Sequence, residues 1–446
     1  MKTTHSYAYI ILLSLLISRP CITKADFDTQ LNQALEATLE KRLQESDQAL
    51  SELLKGDLKL QLQSAQVTQC STDILRSLVL QSYPIETHTV TTEDGYILSL
   101  FRIQAKGGKM EDGKPVVFLQ HGLFNDATSW LYNGEDKGLG FLLANAGFDV
   151  WMGNNRGNKY SRRHKTYTTA NSSFWEFSFD EMAKYDLPAN LAYVSKIAGT
   201  HHIRYVGHSQ GTSQMFAALS DPQIRPKVAP YVAVFYALAP IVFLNKIKIR
   251  GINFAAYLRK LVKLAVYTSN THALNTGTCT WDQSSINYWN DYCRNSPKKC
   301  YSHVGYEDLR PEVDNWPREG YRRILGPSGA SFNCVLHYAQ LISYQSSEPN
   351  AFRKFDHGSE AANKKHYGQK APPLYNLELV REKVRLWVGS MDTLGTLEET
   401  MHLMSSLINA KDVKLEVLKD WGHETFHFAA NNEDYYGKLV AELKRA

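Results

Sequence analysis

Residues Gly207-His208-Ser209-Gln210-Gly211 place a hydroxyl where it can become a nucleophile. Glycine on either side permits a turn too tight for side chains, and such a turn lifts the serine clear of its strand. Serine attacks an ester only when a base takes its proton and a third group orients that base. Candidates for both lie downstream. Asp392 follows the apolar run Val384-Arg385-Leu386-Trp387-Val388, and His423 follows Val413-Lys414-Leu415-Glu416-Val417-Leu418. Asp392 would hold one imidazole nitrogen of His423, and the other nitrogen would take the Ser209 proton. The resulting oxyanion needs two backbone amides. Gln210 supplies one, and Leu123, in Gln120-His121-Gly122-Leu123-Phe124, supplies the other.

Each assignment has a competitor. A Gly-x-Ser-x-Gly arises by chance in roughly 0.1–0.2 of chains this long, so its flanks decide. Ile203–Val206 before it reads as a strand, and the proline-free run Thr212–Leu219 reads as a helix whose N-terminus points at Ser209. Asp392 could instead cap the turn Thr393-Leu394-Gly395. His427 lies one helical turn beyond His423, but Gly422 favours His423 as the residue a loop presents. Gly122 could be an ordinary strand-to-loop glycine. His88, His164, His272 and His402 read as surface or structural residues. No metal is expected, since neither His-Glu-x-x-His nor paired-cysteine spacing is present.

These groups need rigid elements to carry them. Thr87–Thr92 and Tyr96–Phe101 flank Asp94-Gly95, a hairpin signal. Buried-type strands then alternate with helical stretches at Pro115–Leu119, Phe148–Met152, Ile203–Val206, Val232–Leu238, Val384–Val388 and Val413–Leu418. Such alternation predicts a parallel sheet covered on both faces. With the order Ser, Asp, His, it specifies an α/β-hydrolase fold: a mostly parallel central sheet flanked by helices. Between residues 241 and 370 the alternation stops, and the helical, aromatic stretch predicts a cap inserted into a core formed by 70–240 and 371–446.

The 446 residues are 43% hydrophobic and 11% aromatic, enough for a sizeable core, and the net charge of +5 comes without a basic run that would suit nucleic acid. Residues 1–25 read as a signal peptide: Lys2, the apolar run Tyr7–Ile17, and small residues around Thr23-Lys24-Ala25. No later stretch is long enough for a transmembrane helix. The mature protein is therefore expected outside the cell or in a lysosomal or vacuolar lumen. In residues 26–69, Leu31, Leu35, Leu39 and Leu43 recur at helical spacing, predicting an amphipathic helical segment or propeptide. Cys70, Cys279, Cys293, Cys300 and Cys334 remain after the signal, so at least one thiol stays free or pairs between chains. Asn171-Ser172-Ser173 is a glycosylation sequon. Lys246–Leu264 mixes bases with apolar residues, and this part of the cap could touch a lipid surface transiently.

Several blocks together resemble the acid lipase family, which includes lysosomal acid lipase and gastric lipase. They are His121-Gly122-Leu123, Trp151–Asn158, Ser161-Arg162-Arg163-His164, Phe174–Ala189, Gly207–Thr212 and His366-Tyr367-Gly368-Gln369. The resemblance runs from about Ser71 to the C-terminus. It implies a capped α/β-hydrolase fold, hydrolysis of triacylglycerols and sterol esters in lipid catabolism, and no cofactor. It places nucleophile, acid and base on Ser209, Asp392 and His423, and the oxyanion amides on Leu123 and Gln210. The chain departs from the family in residues 26–69, in the stretch 241–340, and at Thr393-Leu394-Gly395-Thr396, where the family usually carries a second acid. The leading expectation is a serine lipase acting on neutral lipid esters through an acyl-enzyme. The alternatives are a short-chain carboxylesterase or acyltransferase with the same triad, or a non-catalytic binding protein on a hydrolase scaffold.

Overall fold

The computed structural model describes residues 83–247, 328–430 and 433–446, together with 273–274. The expectations for residues 1–25 and 26–69, for the cysteines other than Cys334, for His272 and for most of Lys246–Leu264 lie outside the described residues.

The apolar runs form one sheet in the order β1 (Ile85–Thr91), β2 (Tyr96–Ile103), β4 (Asp149–Gly153), β3 (Val116–Gln120), β6 (Ile203–His208), β7 (Val232–Leu238), β10 (Lys383–Gly389) and β11 (Asp412–Leu418). The two-residue β5 (Arg163–His164) pairs with β2. β2 runs antiparallel to both β1 and β4. Every pairing from β4 to β11 is parallel. The strands match the apolar runs to within a residue or two.

Alternate residues of each central strand enter different cores. Val116 and Phe118 join Tyr205, Phe235 and Leu386 on one face. Val117 and Leu119 join Val206, Tyr236 and Trp387 on the other. Both faces are covered, which is why these strands read as unbroken apolar runs rather than as alternation.

Among the helices are α1 (Leu139–Asn145), α2 (Leu187–Ala198), α3 (Gln210–Ser220), α4 (Phe332–Gln345), α5 (Glu360–Tyr367), α6 (Leu397–Ser406) and α7 (Glu433–Arg445). Every residue of α3 is buried. α2 is entered through a π-helical turn, Met182–Asp186, and ends on Gly199 in the left-handed region. Residues 239–382 connect β7 to β10. Within them, α4 is tied back to the sheet side: the Tyr338 hydroxyl donates to Ser213 Oγ at 3.0 Å, and Ser328 N donates to the Phe124 carbonyl at 2.9 Å. The short β8 (Ala273–Leu274) and β9 (Ala330–Ser331) pair antiparallel.

The strand order fixes where a site can form. From β3 the chain steps outward to β4, then returns across β3 to β6. Loops leaving the C-terminal ends of β3 and β6 therefore diverge, and the crevice between them is where open α/β sheets bind ligands. Gln120–Phe124 and Ser209 both leave the sheet at that crevice.

A buried cation braces the adjacent loop. Arg156, 1% exposed, pairs with Asp186 at 2.6 Å and Asp94 at 2.7 Å, and its guanidinium lies 3.9 Å from the Tyr96 ring centre. Arg156→Leu leaves Asp186 buried without its counter-charge, and should lower stability by about 3–5 kcal/mol in urea denaturation. A loss below about 1 kcal/mol would contradict this role.

Candidate active site

Ser209 sits at φ 51°, ψ −117°, between β6 and α3. Side chains disfavour that conformation, so the surroundings must impose it. The two glycines show how. A Cβ on Gly207 would lie 2.7 Å from the Gly211 carbonyl oxygen, and one on Gly211 would lie 2.3 Å from the Gln120 carbonyl oxygen. Neither position accepts even alanine without moving backbone. Hydrogen bonds complete the clamp: Ser209 N donates to the Leu238 carbonyl at 3.1 Å, Thr212 Oγ1 donates to the Ser209 carbonyl at 2.6 Å, and the Tyr205 hydroxyl donates to the Gly211 carbonyl at 2.8 Å.

The structure brings Ser209, His423 and Asp392 into one line. Ser209 Oγ lies 2.8 Å from His423 Nε2, and His423 Nδ1 lies 2.9 Å from Asp392 Oδ2 and 3.2 Å from Oδ1. The Nδ1 proton must face the carboxylate, which leaves Nε2 to accept the serine proton. Asp392 and His423 are 3% and 2% exposed, so water competes little for these bonds. Asp392 makes the contacts that both sequence readings call for, to His423 and to its own turn. Its Oδ1 also accepts from the amides of Leu394 at 2.9 Å and Gly395 at 2.8 Å. The same carboxylate closes its own turn and fixes the imidazole. The β10 and β11 loops pack tightly here, since a Cβ on Gly389 would lie 2.1 Å from the Trp421 carbonyl oxygen.

Gln210 follows the serine, and Leu123 follows Gly122, which packs against it. Gln210 is the first residue of α3, and a first-turn amide has no partner within its helix. Gly122 comes so close that a Cβ there would lie 3.1 Å from Ser209 Cβ. Phe124 then takes φ 63°. His121 locks this loop: its Nδ1 lies 2.8 Å from the Gly122 carbonyl, and its Nε2 accepts from the Asn155 amide at 3.1 Å. Asn155 Oδ1 accepts from both Gln120 Nε2 and Gln214 Nε2 at 2.9 Å. The loop carrying Leu123 is thereby tied to α3, which carries Gln210.

His427, the competitor for the base, lies elsewhere. Its Nε2 meets His208 Nδ1 at 3.1 Å, while His208 Nε2 donates to the His423 carbonyl at 2.9 Å. With its Nε2 proton given to that carbonyl, a neutral His208 accepts on Nδ1 from His427 Nε2–H. Burial pushes His427 down to about 3 and His208 well below its ordinary value, and it pushes His121 down to about 4. Sequence reasoning missed this support. The only local signal was that a histidine occupies the x position of the pentapeptide.

Four non-glycine residues among those described have positive φ: Phe124, Ser209, Ala239 and Asp420. They follow the C-terminal ends of β3, β6, β7 and β11, so the strain gathers along the C-terminal edge of the sheet. The remaining predicted positions are peripheral. Asn171 is exposed, and its Oδ1 accepts from Thr168 N at 2.8 Å. Cys334 is a free, buried thiol. His88 bridges Glu86 and Tyr193, and His164 holds the Asp94 carbonyl. No described helix is long and apolar enough to cross a membrane.

Strand order and the strained serine turn define an α/β hydrolase. The family models agree: residues 78–134 match the partial alpha/beta-hydrolase lipase region, and 115–234 match the alpha/beta hydrolase fold. Lysosomal acid lipase/cholesteryl ester hydrolase of Macaca fascicularis is 35% identical over 81% of this chain and 88% of that protein. Gastric triacylglycerol lipase of Rattus norvegicus is 36% identical over 84% of this chain and 92% of that protein. Lipase member N of Mus musculus is 33% identical over 82% and 89% respectively. The chain belongs to the acid lipase family and is a carboxylic ester hydrolase.

The histidine relay has a pH signature. Unfolded, His427 takes up a proton near pH 6.5; native, only near pH 3. Between those values the unfolded state binds more protons, so acid erodes stability across that window. Replacing His427 by Phe should shrink the stability loss between pH 6.5 and 4 by up to about 3 kcal/mol, measured by urea denaturation at several pH values. An unchanged pH dependence would contradict a neutral buried His427.

Proposed function

We propose that this chain hydrolyses the carboxylic esters of neutral lipids, triacylglycerols and sterol esters, through an acyl-enzyme on Ser209. The observation that carries the proposal is the continuous line from Ser209 Oγ through His423 to Asp392, with both links near 2.9 Å or shorter. Ser209 Oγ attacks the ester carbonyl as His423 Nε2 takes its proton. Asp392 holds the ring and stabilises the imidazolium without taking a proton itself. The amides of Leu123 and Gln210 receive the oxyanion. His423 then protonates the departing alkoxide, and the alcohol leaves. Water, activated by the same imidazole, attacks the acyl-enzyme and releases the fatty acid while Ser209 recovers its proton.

The relatives named for triacylglycerol and cholesteryl ester support the substrate class. Their lysosomal and gastric names, with the apolar Tyr7–Ile17 run, support a secreted or lysosomal location. The exposed Asn171 sequon supports a glycan there.

Ser209→Ala should cut hydrolysis of an emulsified long-chain ester by roughly 10³–10⁶ with the near-ultraviolet circular dichroism unchanged. Residual activity within about tenfold of wild type would sink the mechanism. Asp392→Asn should lower kcat by roughly 10²–10⁴ with little change in KM, because the ring loses its orienting charge. Hydrolysis rates across acyl chain length separate a lipase from a short-chain esterase. A rate that falls steadily beyond short acyl chains would overturn the lipid assignment.

A further inference from the structure

The sheet ends on β11, and among the described residues β11 pairs with β10 alone. Among the described residues its outer edge is thus a row of backbone donors and acceptors that can pair with another strand. Natural edge strands guard such a row with charged side chains, lysine above all, with proline or with bulges; Asp412-Val413-Lys414-Leu415-Glu416-Val417-Leu418 has no proline but carries three charges, so any partner strand must match them.

The sequence of β11 is complementary to itself. A two-fold axis through Leu415 sets Val413 against the second copy's Val417, and Lys414 against the second copy's Glu416. Each of these pairs occurs twice. Opposite charges directly across an antiparallel pair are favourable, and like charges there are not. Glu416 is already positioned by an ion pair to Lys438 on α7, while Lys414 is exposed.

An independent observation falls on the same edge. Of the seven exposed large hydrophobic residues among those described, Met401, Met404, Ile408 and Val417 lie on β11, the helix beside it and the segment joining the two. Met401 and Met404 are 55% and 37% exposed and lie one turn apart on α6, and Ile408, 65% exposed, follows them. The buried Leu403 and Leu407 of the same segment join the core face that Val413 and Leu415 also pack against. Alternation along the strand puts Val417 on that face too. Pairing two β11 strands would bring two copies of α6 alongside one another across the axis and give this apolar strip a partner.

We propose that two copies of this chain associate edge to edge through antiparallel β11 strands, making one continuous sheet, with α6 and its symmetry mate packed over the seam. The axis stands normal to the sheet, so the C-terminal ends of the two sheets point in opposite directions. A planar lipid surface would then meet only one of the two crevices at a time.

Charge exchange tests the register directly. Sedimentation equilibrium of the purified full chain should give twice the monomer mass. Lys414→Glu sets Glu against Glu, Glu416→Lys sets Lys against Lys, and each should weaken the dimer at least tenfold. The double variant Lys414→Glu/Glu416→Lys restores opposite pairs and should dimerise as the wild type does. An equimolar mixture of the two single variants should recover a dimer that neither forms alone. Hydrolysis of a soluble ester, retained by each variant, reports that it is folded. A monomeric wild type, single variants that dimerise unchanged, or a double variant that stays monomeric would each overturn the proposal.

Discussion

One backbone conformation governs the site: the left-handed turn at Ser209. The turn is held from three sides by groups that have no room to yield. Gly211 presses on the Gln120 carbonyl at the end of β3, Gly207 presses on Gly211, and the Ser209 amide is bonded to Leu238 at the end of β7. Three neighbouring strands thus set a single torsion, and that torsion aims the hydroxyl at His423. Strain of this kind persists only where the surroundings over-determine it. The buried sheet on both faces of β6 provides that rigidity, and an elbow on a looser scaffold would relax.

The second governing condition is electrostatic. Four imidazoles crowd the crevice, yet their surroundings differ. His423 faces a buried carboxylate, whereas His121, His208 and His427 face amides, carbonyls and one another. Burial keeps the last three neutral well below the ordinary histidine range. In the proposed mechanism the imidazolium charge then develops on one ring without competition from its neighbours. Asp392 spends one oxygen on its own turn and shares both with the imidazole, which leaves its direction fixed.

Much of this was legible in the chain. Strands buried on both faces announce themselves as apolar runs, and β7 was bounded to the residue by Val232–Leu238. The order Ser, Asp, His and the loop positions after β6, β10 and β11 singled out residues that the structure places within hydrogen-bond distance. What escaped notice depends on contacts far apart in sequence. His208 and His427 are separated by 219 residues and meet only because β6 and the segment after β11 end at the same edge. The Gln120–Asn155–Gln214 bridge likewise joins three segments that carry no shared pattern. Asp392 read as a choice between a cap and a partner of His423 because sequence reading assigns a residue one contact at a time. The carboxylate has acceptor capacity for both.

The central claim is that Ser209 is a nucleophile activated by His423. Incubation of the purified protein with a long-chain alkyl fluorophosphonate, followed by intact-mass measurement and peptide mapping, tests it most directly. The account predicts one adduct per chain, on Ser209, and no adduct when His423 is replaced by alanine. An unlabelled wild-type chain, or a label carried on another residue, would contradict it.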